Sequence, residues 1–322
     1  MNNRHCGLVV NYQCNAACRH CLYACSPNRL NDYMTPEATE RICNLLKRRG
    51  VDSLHIGGGE PFLNFEGLIK VIERVKRAGL IIEYIETNGF WSSDEKQARQ
   101  YLSDLAKAGA DNLLISLDPF HIEYIPVGRP LRLAEICTEV GFRHFLHQKQ
   151  FIESLSCLEH QKTYSRSELE QQISPTYLLD TAKIYGVTTT GSAINLEEEF
   201  VLARPVSELI TESHPCNSLL RTDFIHVDLY ERYVMAGCTG ITIPLVEAVG
   251  TIPSGSYPVF EILVMKGVKG LLEFAKKQGY KPEQGGYTSS CALCFRIRNW
   301  LSENYSYPEL NAEYYEAALM KR

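Results

Sequence analysis

Short apolar runs alternate with amphipathic helical segments from residue 6 to residue 194, and this alternation constrains the fold more than any other feature of the sequence. Residues 6–12 (Cys-Gly-Leu-Val-Val-Asn-Tyr) read as a strand. Thr35-Pro36-Glu37 signals a helix start, with an N-cap, a proline at the first position and an acid in the first turn. Ile42, Leu45 and Leu46 carry its apolar face to Gly50. Residues 53–56, 80–85, 112–117, 143–147 and 187–194 read as further strands. The helices between them end at Gly79, Gly109, Gly141 and Gly186. Six strand–helix units predict a parallel sheet with right-handed crossovers, since that is how such units bury both faces of their strands. They are too few for an eight-unit barrel. The expected class is therefore α/β, a partial (β/α)6 barrel over residues 1–205, with its active face at the C-terminal strand ends. After residue 205 the alternation stops. Residues 206–322 predict a small accessory domain: a hairpin from residues 224–227 and 233–235, a long helix near residues 260–278 and a final amphipathic piece at 309–320.

Composition narrows the function classes. Of 322 residues, 45% are hydrophobic and 22% charged, with net charge -5, which suits a globular core and leaves no basic footprint for nucleic acid. The N-terminus lacks a signal-peptide apolar run, and no stretch approaches a membrane span. A cytoplasmic location is expected. Twelve cysteines in such a chain read as metal ligands or catalytic thiols rather than as disulfides.

Cys14, Cys18 and Cys21 form a C-x3-C-x2-C run directly after the first strand. The bland alternative is one face of a helix, but three cysteines without a leucine would make an odd core there. A [4Fe–4S] cube bound by three thiolates keeps one iron open for a non-protein ligand. Gly57-Gly58-Gly59-Glu60-Pro61 ends the second strand, Thr87-Asn88-Gly89 the third and Ser116-Leu117-Asp118 the fourth. With this set, residues 6–195 resemble the radical S-adenosylmethionine (SAM) superfamily.

The resemblance implies that Cys14, Cys18 and Cys21 hold a [4Fe–4S] cluster whose open iron chelates SAM. It implies that Gly58, Gly59 and Glu60 meet the methionine amino group, the glycines by close backbone approach and Glu60 by its carboxylate. Asn88, Ser116 and Asp118 would face the ribose and carboxylate, although each is also a plausible turn or helix cap. Residues 143–151 lack the family's GxIxGxxE-type pattern, which leaves the adenine contacts unassigned. The implied chemistry is one-electron cleavage of SAM to a 5′-deoxyadenosyl radical that takes hydrogen from a substrate, with the electron arriving from a flavodoxin- or ferredoxin-like donor.

A second group lies near the C-terminus. Cys291 and Cys294 form a C-x2-C pair, and Cys216 and Cys238 are the natural completing ligands. This resembles the SPASM and twitch accessory domains, and four ligands imply a second, auxiliary [4Fe–4S] cluster in the shorter, twitch-like form. A four-cysteine zinc site is the alternative, because thiolates alone do not separate the two. Cys43 and Cys137 lie in helices and read as core thiols, and Cys6 begins the first strand. Cys25 and Cys157 are candidate hydrogen donors, with a bland packed or exposed thiol as the other reading.

Enzymes similar to this one often modify ribosomally made peptides by epimerisation, crosslinking or oxidation. In related epimerases a thiol can follow the auxiliary-cluster cysteine; here that position is Thr239. The first cysteine stands at position 14, so a peptide is expected to be bound directly or through a separate recognition protein. The alternatives are a small-molecule substrate in cofactor or sugar metabolism, and a non-catalytic iron–sulfur or zinc protein. The Glu197-Glu198-Glu199 run reads as a solvated face or an acidic lip.

Overall fold

The computed structural model describes residues 4–220, 224–235, 237–250, 252 and 254–320. They divide into two compact units: Met1–Cys18, Cys25–Val187 and Val227–Glu231 form one, and Arg19–Ala24, Thr188–His226 and Arg232–Arg322 the other.

The first unit is an α/β sheet layer. Its strands and helices run β1 (Arg4–Val9), α1 (Pro36–Arg48), β2 (Val51–Gly57), α2 (Phe65–Arg77), β3 (Ile81–Thr87), α3 (Glu95–Ala108), β4 (Asn112–Ser116), α4 (Pro119–Ile122), α5 (Gly128–Val140), β5 (Arg143–His147), α6 (Ile152–Leu155), α7 (Arg166–Gln172) and α8 (Tyr177–Tyr185). The five strands pair in parallel in the order β5-β4-β3-β2-β1, as the alternation predicts. Local chemistry sets the boundaries. The Thr35 hydroxyl accepts from the N–H of Ala38 at 3.1 Å and starts α1. Gly109, Gly141 and Gly186 close α3, α5 and α8 in the left-handed conformation. Leu8, Leu54, Ile56, Ile85, Leu113 and Ile115 are fully buried. The neighbouring positions, on the opposite strand face, carry a polar row: the His55 ring stacks between those of His5 and Tyr84, each centroid 5.0 Å away.

The second unit contains α9 (Ala193–Glu198), α10 (Val206–Thr211), the start of β6 (Phe224–Asp228), β7 (Arg232–Val234), β8 (Thr242–Pro244), α11 (Leu245–Ala248), α12 (Pro258–Lys277), α13 (Ser290–Asn304) and α14 (Ala312–Leu319). The expected hairpin is present as β6 and β7, and β8 adds antiparallel to β7. The expected long helix is α12, broken at Gly267 by a φ of 62°.

One expected strand does not form. Residues 187–194 carry β-branched side chains but no strand. Gly191 sits at φ 59°, the N–H of Ser192 donates to the carbonyl of Cys21 at 2.9 Å, and a Cβ on Gly191 would overlap the carbonyls of Cys21 and Leu22. The segment is shaped by the cysteine loop it holds, and that tertiary demand overrides strand propensity. Among the described residues no helix is long and apolar enough to cross a membrane.

Candidate radical SAM site and second cysteine centre

The cysteine run leaves β1 through Asn11, whose side chain staples two segments together. Its Nδ2 donates to the carbonyls of Gln13 and Glu60, both at 3.0 Å. The return bonds run from the N–H of Gly59 to the Asn11 carbonyl (2.8 Å) and from the N–H of Glu60 to the Gln13 carbonyl (3.0 Å). The glycines after β2 are required by the chain's own packing. A Cβ on Gly58 would stand 2.6 Å from the Asn11 carbonyl oxygen, and one on Gly59 would overlap the Gln13 carbonyl. What approaches them closely is the chain leading to Cys14.

Glu60 is 1% exposed, and its carboxylate accepts from the N–H of Asn88 at 2.7 Å, the Thr87 hydroxyl at 2.9 Å and the N–H of Phe62 at 3.2 Å. Burial pushes its carboxyl up to about 7, against those three hydrogen bonds, which favour the charged form. The group faces into the fold and fixes the turn after β3. That turn delivers Asn88 to the cysteine loop: its Nδ2 donates to Asn15 Oδ1 at 2.8 Å and lies 3.9 Å from the Cys14 sulfur.

Cys14 and Cys18 are buried in the first unit, and Cys14 accepts from the N–H of Ala16 at 3.4 Å. Cys21 lies in the segment that packs with the second unit. Ser116 is half-buried at the end of β4. Asp118 is buried and caps the short α4, with Oδ1 accepting from the N–H groups of Phe120 (3.0 Å) and His121 (3.1 Å) and Oδ2 standing 2.7 Å from His121 Nδ1. Its bland reading as a cap is thus realised, with an added imidazole partner. Burial opposes charge on His121, but Asp118 and the Cys18 sulfur outweigh it and raise the imidazole well above its ordinary value. The spacing of three between Asp118 and His121, one helical turn, is the sequence signal for this pair. Replacing Asp118 by alanine is expected to destabilise the chain by about 2 kcal/mol through loss of the cap and the paired imidazole. An unchanged urea midpoint would remove that role.

Of the two candidate hydrogen donors, Cys25 is buried with its thiol 3.6 Å from the Gly58 carbonyl, and Cys157 is exposed with its thiol on the Ser154 carbonyl. Cys43 and Cys137 are fully buried, as expected of core thiols, and so is Cys6.

In the second unit the structure brings Cys216, Cys238, Cys291 and Cys294 into mutual electrostatic reach. Cys291 and Cys294 occupy the first turn of α13, with Ser289 capping it by accepting from the N–H of Ala292 at 3.1 Å. Burial pushes Cys216 up to about 11, with the neighbouring thiols adding to it, and Cys294 up to about 12, with Arg298 opposing and the other thiols adding. Thr239, beside Cys238, is buried; its hydroxyl donates to the Leu22 carbonyl at 2.6 Å and meets the Tyr314 hydroxyl at 2.5 Å. The acidic run is paired rather than merely solvated: Glu198 meets Arg296 at 2.7 Å and Glu199 meets Arg19 at 3.4 Å.

Residues 8–145, which contain the cysteine run and the ends of β1–β4, match the radical SAM superfamily. The chain carries a radical SAM domain. A putative peptide biosynthesis protein, YydG of Bacillus subtilis, is 27% identical over 125 residues, which is 39% of each chain. A GTP 3′,8-cyclase of Peptoclostridium acidaminophilum is 31% identical over 130 residues, 38% of each chain. The chain thus spans less than two fifths of the length of these curated relatives. The crystal structure of Streptococcus suis SuiB superposes with a TM-score of 0.41 at 15% identity, over 84% of this chain and 68% of that one.

Proposed function

We propose that this radical SAM protein is an enzyme that takes a hydrogen atom from a ribosomally made peptide, as a step in epimerisation, crosslinking or oxidation. The observation that carries the reading is the Cys14–Cys18–Cys21 loop held by strand-end residues inside the radical SAM domain. The peptide substrate is supported by the similarity to YydG, whose name assigns it to peptide biosynthesis. Similarity to GTP 3′,8-cyclases favours the second reading, a small-molecule substrate.

In this proposal Cys14, Cys18 and Cys21 ligate the SAM-binding [4Fe–4S] cluster, and the donor set fits it, being three thiolates with buried polar partners. When bound, the cluster and SAM supply an electron and the radical that takes hydrogen. The protein supplies position. Asn88 holds the loop at Cys14, Glu60 holds Asn88, and the Asp118–His121 pair places an imidazole beside Cys18. Gly58, Gly59, Glu60 and Asn88 shape the loop, and with Ser116 and Asp118 they are the proposed contacts to SAM. Cys216, Cys238, Cys291 and Cys294 would hold the auxiliary cluster of a twitch-like domain. Four thiolates suit either a four-iron cluster or a four-cysteine zinc, and the iron content separates the two. An external one-electron donor and a separate peptide-recognition protein complete the proposal.

Anaerobic reconstitution tests it. About eight irons per chain are expected, with dithionite-dependent 5′-deoxyadenosine. About four irons, or zinc, would remove the auxiliary cluster; absence of 5′-deoxyadenosine would remove the enzyme reading. Deuterium passing from a labelled precursor peptide into 5′-deoxyadenosine would establish the peptide. Transfer only from a nucleotide or other small molecule would favour the second reading.

A further inference from the structure

Arg298 is 3% exposed, in the middle of α13. A buried guanidinium ordinarily has a carboxylate beside it, because leaving water is costly for an unpaired charge. Arg298 has none: among the described residues its strongest electrostatic partners are Cys238, Tyr315, Cys294 and Tyr314. Among the described residues its Nη1 donates to the Tyr315 hydroxyl at 2.9 Å and its Nε has no hydrogen-bond partner. The guanidinium carbon lies 5.5 Å from the Tyr315 ring centroid and 5.7 Å from that of Phe295, so the rings offer it quadrupoles but no charge.

Sequence spacing explains how it reaches the cysteines. Positions 291, 294 and 298 fall on one helix face, at i, i+3 and i+7. The guanidinium is also held from the other side. The Tyr315 hydroxyl that accepts from Arg298 donates onward to the Gly240 carbonyl at 2.8 Å, two residues after Cys238. A Cβ on Gly240 would stand 2.7 Å from that same hydroxyl, so glycine there admits the phenol. The chain therefore holds one cation, aimed by α14, against four thiols contributed by two loops and a helix.

We propose that Arg298 is the built-in counter-ion of the auxiliary thiolate centre and sets its redox poise by stabilising the reduced cluster. The inference rests on the auxiliary-cluster reading. A cluster bound by four thiolates carries net negative charge and gains one more unit on reduction, so a fixed neighbouring cation favours the reduced form and raises the potential. Buried Arg298 does not open to solvent, which separates this role from substrate binding.

The test uses the full chain reconstituted anaerobically in a Cys18→Ala background, so that the auxiliary centre is read alone. Iron and sulfide are counted, and the cluster is titrated with dithionite and followed by electron paramagnetic resonance. Arg298→Met is expected to keep about four irons and to reduce at a more negative potential than the parent. Arg298→Lys, which keeps the charge, is expected to fall between the two. Equal potentials in the loaded parent and Arg298→Met would overturn the counter-ion role. Should Arg298→Met fail to fold while Arg298→Lys folds and loads, charge is supported; failure of both makes shape the requirement and overturns it. Zinc in the parent, or no metal, overturns the auxiliary-cluster reading itself and is recognised before any variant is compared.

Discussion

Replacing Cys18 with alanine is expected to reduce SAM cleavage to the background of the assay and to halve the iron content, while leaving the fold in place. Two remaining thiolates in the loop cannot hold a four-iron cluster that already leaves one iron without a protein ligand. The fold should persist because the substitution removes one buried sulfur, at a cost of about 1 kcal/mol, from a loop also held by the Asn11 side chain and by the backbone N–H groups of Gly59 and Glu60. Cys25→Ala is the matched control: another buried thiol, 3.6 Å from the Gly58 carbonyl and outside the three-cysteine run. It should keep both iron and cleavage. Full-rate cleavage by Cys18→Ala would show the cluster assignment to be wrong. Loss of iron in Cys25→Ala as well would show that packing of the loop, and not ligation, is being measured.

The parts of the structure readable from sequence are those decided within a few residues. Thr35 caps α1 because a hydroxyl three residues before a free N–H needs nothing else. Gly109, Gly141 and Gly186 end their helices because glycine alone takes the left-handed cap without strain. The cysteine spacings are readable for the same reason, since the ligand chemistry is local. The stretch at 187–194 was not, because its conformation answers to the carbonyls of Cys21 and Leu22, far away in sequence. Glu60 shows a subtler limit. Its sequence context marks it as part of the site, but a carboxylate three donors deep in the fold looks, in sequence, the same as one offered to an ammonium. Its donors were not legible locally, because Thr87 and Asn88 come from the next strand. Arg298 is the reverse case. It was four residues from a predicted ligand throughout, yet its meaning depends on Tyr315 of α14 leaving it without a carboxylate.

Gly59→Ala is expected to be the most damaging single change of the first unit outside the cysteines, destabilising it by about 3 kcal/mol or more. The added Cβ would overlap the Gln13 carbonyl, with the Tyr12 carbonyl carbon 3.1 Å away. Both are backbone atoms, so no side-chain rotation relieves the contact. Nor can the backbone retreat freely, because Gly59 donates to Asn11 at 2.8 Å and Glu60 to Gln13 at 3.0 Å. Tyr12 is anchored as well, its hydroxyl donating to Asp228 at 3.0 Å. The segment that must move carries Cys14 directly after it, so strain that does not unfold the unit should appear as lost iron. Gly285→Ala is the control, since a Cβ there meets nothing within 4 Å, and it should leave both readouts unchanged. A Gly59→Ala chain with the parental melting temperature and full iron would mean that the loop yields easily and that the glycine is not required for its packing. A lowered melting temperature in the metal-free chain, together with lost iron after reconstitution, would show that the same contact shapes the fold and the thiolate loop at once.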